Sequence, residues 1–170
     1  MSRELTAALI GAGPHAALGE YAKVFDRVTG AWDCDYVHFT EDSAVVERYS
    51  GNVTFGWVLD GWAVQDVWAW NAPEGEATRR VAGTTIRFLD RETGIWTVYW
   101  FMPEKAIVIT LKGGAVGDRI VLEDDGADGL RRRWSFNEIR PESFVWRGER
   151  SADGGKTWWL QAEYHMRRRT

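Results

Sequence analysis

Asp66 stands between Val64 and Trp68 in an apolar run from Trp62 to Trp70. Burial penalises the charged form of a carboxyl group, so an aspartate on such a face is suited to acid/base work near neutrality. His38 and Tyr36 share a strand face with Trp32 and Cys34 and are its candidate catalytic partners. Glu47 and Tyr164 are further polar groups that could join them. A purely organising role competes with catalysis: Asp66 would hydrogen-bond an indole N–H or Arg132, and this reading is favoured. The three histidines, His15, His38 and His165, have no paired ligand spacing, so no metal site is expected. Gly155-Lys156-Thr157 lacks the glycine five residues earlier that a phosphate loop needs, because Arg150 stands there. Asp124 to Gly129 lacks calcium-loop spacing, and Asp33 and Asp35 fall on an outward face.

The elements that must position these groups follow from periodicity. From Pro14, the residues Leu18, Tyr21, Ala22 and Phe25 fall on one helical face, predicting a single short helix over 13–28. After Gly30 the period becomes two. Runs rich in Trp, Val, Ile, Phe, Tyr and Thr cover 31–40, 44–49, 53–59, 62–71, 83–90, 95–102, 106–112, 118–123, 130–138, 143–150 and 156–167. The second and third read equally as one bent strand with a bulge at Ser50-Gly51, which leaves ten. Turn pairs such as Asp60-Gly61, Thr93-Gly94 and Asp128-Gly129 make the connections too short for anything but antiparallel neighbours. The exception is a polar loop over 72–82. Ten sequential strands must deal with their edges, and closure into an up-and-down antiparallel β-barrel does so; a two-sheet sandwich is the alternative. The expected fold is therefore all-β, one domain over 1–170, with the barrel spanning 31–167.

Alternation assigns the faces. The parity with the large apolar residues holds Trp62, Val64, Asp66, Trp68 and Trp70, then Ile86 and Phe88, then Trp96, Val98, Trp100 and Met102. It continues with Ile120, Leu122, Trp134, Phe136, Phe144, Trp146, Trp158, Leu160, Ala162, Tyr164 and Met166. The opposite parity carries Arg87, Arg131, Arg133, Arg147, Gln161, Glu163 and His165, and is expected to face out. The chain has 11 tryptophans, whose rigid rings wall a pocket well and whose N–H groups want partners. The expected ligand-binding residues are Trp62, Trp68, Trp70, Trp96, Trp100, Trp134, Trp146 and Tyr164, around one small, mostly apolar, aromatic or polycyclic molecule. The alternatives are a cofactor-free cyclase, isomerase or lyase in the same cavity with Asp66 as acid/base, and a filled barrel without a cavity.

Gly30-Ala31-Trp32, after a short helical segment and before an all-antiparallel remainder, resembles the opening of the calycin superfamily, the lipocalins and fatty-acid-binding proteins. In those barrels the tryptophan closes one end. The segments Gly56 to Gly61, Asp66 to Trp68, Thr93 to Trp96 and Ser151 to Trp158 resemble uncharacterised bacterial calycin-like proteins. The resemblance runs from about Gly13 to Arg167 and implies the fold and a cavity, without a reaction. His165 resembles in position the heme-ligating histidine of nitrobindin-like calycins, although its parity points outward, so no cofactor is expected and heme is a lesser alternative. Ser151 to Trp158 also matches the Ser-x-Asp-x-Gly-x-Thr-Trp box of sialidase-like propellers; a single copy reads as a turn stabiliser.

Composition limits the partners. The chain has 170 residues, 45% of them hydrophobic and 27% charged, which is a globular balance. A net charge of −4 offers no general attraction for nucleic acid. No apolar stretch is long enough for a membrane helix and the N-terminus lacks a signal-peptide pattern, so a cytoplasmic location is expected. The one cysteine fits a reducing compartment. The arginines Arg167 to Arg169 read as a solvated run.

Overall fold

A computed structural model describes residues 2–71 and 80–170. Ten antiparallel strands close into one barrel in the order β1-β10-β9-β8-β7-β6-β5-β4-β3-β2. They are β1 (Gly30–Phe39), β2 (Val45–Val58), β3 (Ala63–Trp70), β4 (Arg80–Asp90), β5 (Ile95–Met102), β6 (Ile107–Val116), β7 (Arg119–Glu123), β8 (Arg131–Arg140), β9 (Ser143–Ser151) and β10 (Trp159–Arg168). Each strand pairs with its sequence neighbours, and β1 pairs with both β2 and β10. The expected up-and-down barrel is thus the architecture. The runs 44–49 and 53–59 are one strand, β2, whose register with β1 is unbroken at Ser50-Gly51; the irregularity lies at His38/Phe39. Of the polar loop expected over 72–82, residues 72–79 lie outside the described residues, while Arg80 to Ala82 belong to β4.

The helix expected over 13–28 is instead a 3-10 segment, Ala16–Ala22, running into a single α-turn, α2 (Lys23–Asp26). Gly19 breaks the helical period with φ 55° and ψ −135°. Leu18, Ala22 and Phe25 still point inward, but Tyr21 is exposed. A further helix, α1 (Ser2–Leu9), was not anticipated; it leads into Ile10, which bridges to Val58.

This N-terminal segment plugs one end of the barrel. Phe25 and Val28 are fully buried, and Phe25 meets the Trp96 ring edge-on at 4.8 Å. The Trp57 indole donates to Asp26 Oδ1 at 2.9 Å and ties the plug to β2. Beside it Trp32 is fully buried and donates its indole N–H to the Val28 carbonyl at 2.9 Å. Arg168 covers the Trp32 ring at 4.0 Å and donates to the Thr29 carbonyl. Gly30 is required there, because its φ is +116° and a Cβ would meet the Arg168 guanidinium at 2.5 Å. The Trp of Gly-x-Trp therefore closes this end, as the resemblance implies. Arg167 and Arg168 belong to β10 and Arg169 follows it; Arg167 and Arg169 are solvated as expected and pair with Asp35 at 2.6 Å and with Asp33 at 2.8 Å.

Two strands, and two tryptophans that lie just outside their strands, depart from the expected parity. On β4 the inward residues are Thr85, Arg87 and Leu89, while Phe88 is 42% exposed and Ile86 half-buried. Thr85 stands opposite Asp66 and Arg87 opposite Val64, so Arg87 and Asp66 are diagonal neighbours on one face. The ion pair they form fixes this register against the pull of Ile86 and Phe88. Phe88 then stacks on Tyr99, and Tyr99 on Phe101, along the outside. On β10 a register shift between Leu160 and Ala162 turns Gln161 inward. Trp158, expected inward, precedes the strand and lies under the Arg133 guanidinium, 3.8 Å from its ring centre. Trp62, also expected inward, lies beyond β3 and stacks on His15 at 3.9 Å.

Candidate functional site

The tryptophans wall the barrel because alternating residues of β3, β5, β8 and β9 place them on one face. Trp68 and Trp70 come from β3, Trp100 from β5, Trp134 from β8 and Trp146 from β9, with Tyr164 from β10. They surround a cavity of about 740 Å³, large enough for a drug-sized ligand. The rings interlock. Tyr164 stacks on Trp146 at 4.6 Å, Trp134 is tilted against Trp146 at 5.6 Å, and Trp68 meets Trp146 edge-on at 6.0 Å. Two positions without side chains make room for them. A Cβ at Gly148 would meet the Trp146 ring at 2.8 Å, and one at Gly83 would meet the Trp100 ring at 2.7 Å.

The cavity opens away from the Phe25 plug. His38, Asn71, Arg80, Met102, Lys105 and Arg150 line it near the β1–β2, β3–β4, β5–β6 and β9–β10 connections. Its deeper polar group is an ion pair, Asp66 with Arg87, whose side chains are 0% and 2% exposed. Asp66 Oδ2 accepts from Arg87 and Oδ1 accepts from the Thr85 N–H at 2.8 Å. Arg87 also lies over the Phe25 and Phe55 rings at 4.9 and 5.4 Å. The partner of Asp66 is thus Arg87, assigned outward by the alternation, and not Arg132, which pairs with Asp124 at 2.6 Å. Arg87 Nε and Nη1 and the Trp68 indole N–H are buried without partners.

Nearer the mouth, His38 Nε2 lies 2.7 Å from the Tyr164 hydroxyl and 3.4 Å from that of Tyr49, and Nδ1 lies 3.5 Å from Glu47. Burial lowers the His38 pKa below its usual value; Glu47 opposes this, and Arg150 and Lys105 reinforce it. Burial pushes Tyr164 well up and Tyr49 up to about 12, so both hydroxyls stay protonated at neutrality.

Of the residues singled out from the sequence, Asp66, His38, Trp68, Trp70, Trp100, Trp134, Trp146 and Tyr164 line this one cavity. Tyr36 lies beneath them: it is buried, stacks on Tyr49 at 5.1 Å, and its hydroxyl has no hydrogen-bond partner. Burial raises both its pKa and that of the neighbouring Cys34 thiol. Trp96 is fully buried against the Phe25 plug, below the cavity, and Trp62 lies outside the barrel. His165 stands on the outer face, half-exposed and bonded to Glu163 at 2.9 Å, and does not line the cavity. Among the described residues no group of three His, Cys, Asp or Glu side chains is placed to hold a metal ion. No helix among them is long and apolar enough to cross a membrane. The residues missed from the sequence are Arg87 and Arg150. A charged residue flanked by apolar ones reads as outward, and only the position of Asp66 on the adjoining strand signals the reverse.

No family model matches the chain, and no curated protein matches it in sequence. Solved structures do match in fold. The S-type phycobiliprotein lyase CPES from Guillardia theta superposes with a TM-score of 0.62 at 12% identity, covering 87% of this chain and 92% of that one. Rv2717c from M. tuberculosis superposes with a TM-score of 0.62 at 15% identity, covering 92% of this chain and 99% of that one. The likeness is one of fold, a closed antiparallel β-barrel.

Proposed function

We propose that the barrel binds one small, flat, mostly apolar ligand with an aromatic or polycyclic body. The observation that carries this reading is the ring wall itself: five tryptophans and Tyr164 line a cavity of about 740 Å³ instead of filling it. Indole faces offer a planar guest large contact area and little loss of side-chain entropy, since the rings already pack on one another. The existence of a lyase among barrels of this shape is in keeping with a cavity built for a ligand. Asp66 supports binding over proton transfer, because both its oxygens are engaged, one by Arg87 and one by the Thr85 amide.

The test is native mass spectrometry of the freshly purified chain, followed by tryptophan quenching with a neutral planar probe, 1-pyrenemethanol. The expected result is saturable one-to-one quenching that Trp100→Ala or Trp134→Ala weakens by about tenfold or more, a stacking contribution of roughly 1–1.5 kcal/mol beyond area alone. A small-molecule adduct lost on denaturation would also give the mass of a natural ligand. Absence of saturable quenching by the intact protein, together with no adduct, would overturn the reading.

A further inference from the structure

Among the described residues, the arginines and lysine that line the cavity are paired with carboxylates except at one place. Among the described residues, Asp66 pairs with Arg87, Glu104 with Arg80 at 2.6 Å, and Arg132 with Asp124 at 2.6 Å. Glu149 lies 3.7 Å from Arg133 and Glu47 lies 3.5 Å from His38. Arg150 and Lys105 line the same cavity, and neither side chain makes a direct ion pair or hydrogen bond among the described residues. Arg150 is half-buried on the inward face of β9, opposite Arg132 on β8. Burial and the Arg132 charge oppose its protonated state, and Asp128, which pairs with Arg132, favours it from a distance. Lys105 sits in the β5–β6 connection and is exposed. His38, Glu47, Lys105 and Arg150 all line this cavity, and His38 feels both cations and, more strongly, Glu47. A half-buried cation beside a second cation is unfavourable unless an anion arrives to share it.

Deeper in the barrel, the unsatisfied groups on residues that line the cavity are donors. Arg87 Nε and Nη1 and Trp68 Nε1 are buried and unpartnered, and both residues line the cavity. Buried donors in native proteins nearly always find an acceptor, so their absence of one here marks a place for a ligand atom. Arg87 is 2% exposed and its charge is already matched by Asp66, so this end suits a neutral acceptor such as a carbonyl or hydroxyl oxygen.

We infer that the ligand is a planar apolar carboxylate, its acid group held at the mouth by Arg150 and Lys105 and a carbonyl or hydroxyl oxygen held at the inner end by Arg87 and Trp68. This rests on the ligand-binding reading above and gives that ligand its polarity and direction.

The test uses the full chain with 1-pyrenebutyrate and its methyl ester, which share the ring body and differ in charge. The acid binds about tenfold more tightly than the ester, as expected for a charge-assisted contact. Arg150→Gln removes most of that difference and leaves ester binding within about twofold, since it deletes a charge and spares the ring wall. Lys105→Gln, an exposed change that leaves the fold alone, narrows the difference by about two- to threefold, and added salt narrows it further. Equal binding of acid and ester by the native protein overturns the inference while the cavity reading stands. So does an Arg150→Gln variant that weakens both probes alike, which would mark Arg150 as a packing residue. Failure of both probes to bind removes the cavity reading and this inference together.

Discussion

Asp66 and Arg87 hold each other inside the barrel, and each depends on the other. Removing one partner of a buried pair leaves an uncompensated charge, so Asp66→Ala is expected to cost about 3–5 kcal/mol of stability in denaturant unfolding. The double change Asp66→Leu with Arg87→Met, which replaces the pair by apolar groups of similar size, should recover most of that loss. His38 supplies a second residue-scale expectation. Its pKa is set by burial, by Glu47, and by the cations Arg150 and Lys105, with the Tyr49 and Tyr164 hydroxyls against its ring. In an NMR titration it should lie below the ordinary 6.5, and Glu47→Gln should push it lower still, because Glu47 is the group that raises it. The sign for stability follows: the unfolded chain takes up this proton first, so the contribution of the neutral ring is complete above pH 6.5 and is lost as pH falls below it.

At the scale of elements, β8 and β9 carry much of the ring wall, and they depend on the empty position at Gly148. Gly148→Val should drive the Trp146 ring into the cavity, lower stability by about 1–3 kcal/mol and reduce ligand capacity, read by melting and by probe titration. The hairpin between β9 and β10 is an independent device. Ser151 Oγ accepts from the Gly155 N–H at 2.8 Å, and Asp153 gathers the N–H groups of Lys156 and Thr157 and the Thr157 hydroxyl. These bonds hold the Asp153 carboxyl well below the usual carboxylate range, which identifies the Ser-x-Asp-x-Gly-x-Thr-Trp box as a turn clamp. Elements of this kind are legible in sequence because their signals are local: the turn pairs, the Gly-x-Trp opening and the alternation placed nearly every strand. The errors arise where a distant residue decides. Arg87 turns inward because Asp66 waits on β3, Gln161 turns inward at a register shift, and Trp62 leaves its strand face because His15 offers a stacking partner. The helix over 13–28 fails at Gly19, whose φ of 55° with ψ of −135° belongs to no helix. The mouth cations were invisible for the same reason, since a lack of counter-ions is a property of the assembled wall.

On the scale of the whole molecule, the barrel is asymmetric along its axis. One end is sealed by Phe25, Val28 and Trp32, and the other presents the cavity. A ligand that binds only this folded form stabilises it by mass action, so a probe at one hundred times its Kd should raise the unfolding free energy by about 2.7 kcal/mol. The same titration should quench emission strongly, because five of the indoles line the site. Two variants separate the ends. Phe25→Ala should lower stability by about 3–5 kcal/mol through the lost plug, whereas Lys105→Gln at the mouth should leave the melting temperature unchanged.

The closure of the sheet carries a consequence for the order of synthesis. Every strand from β2 to β9 meets neighbours that are adjacent in sequence, so the wall can zip progressively as the chain emerges from the ribosome. The seam between β1 and β10 is different, since it joins Trp32 to Arg168 across nearly the whole chain. Until β10 is released, β1 has one bare edge and the Trp32 ring lacks its arginine cover. The newborn protein is therefore expected to pass through an interval prone to edge pairing, which closes when Arg167 and Arg168 reach Asp35 and Trp32.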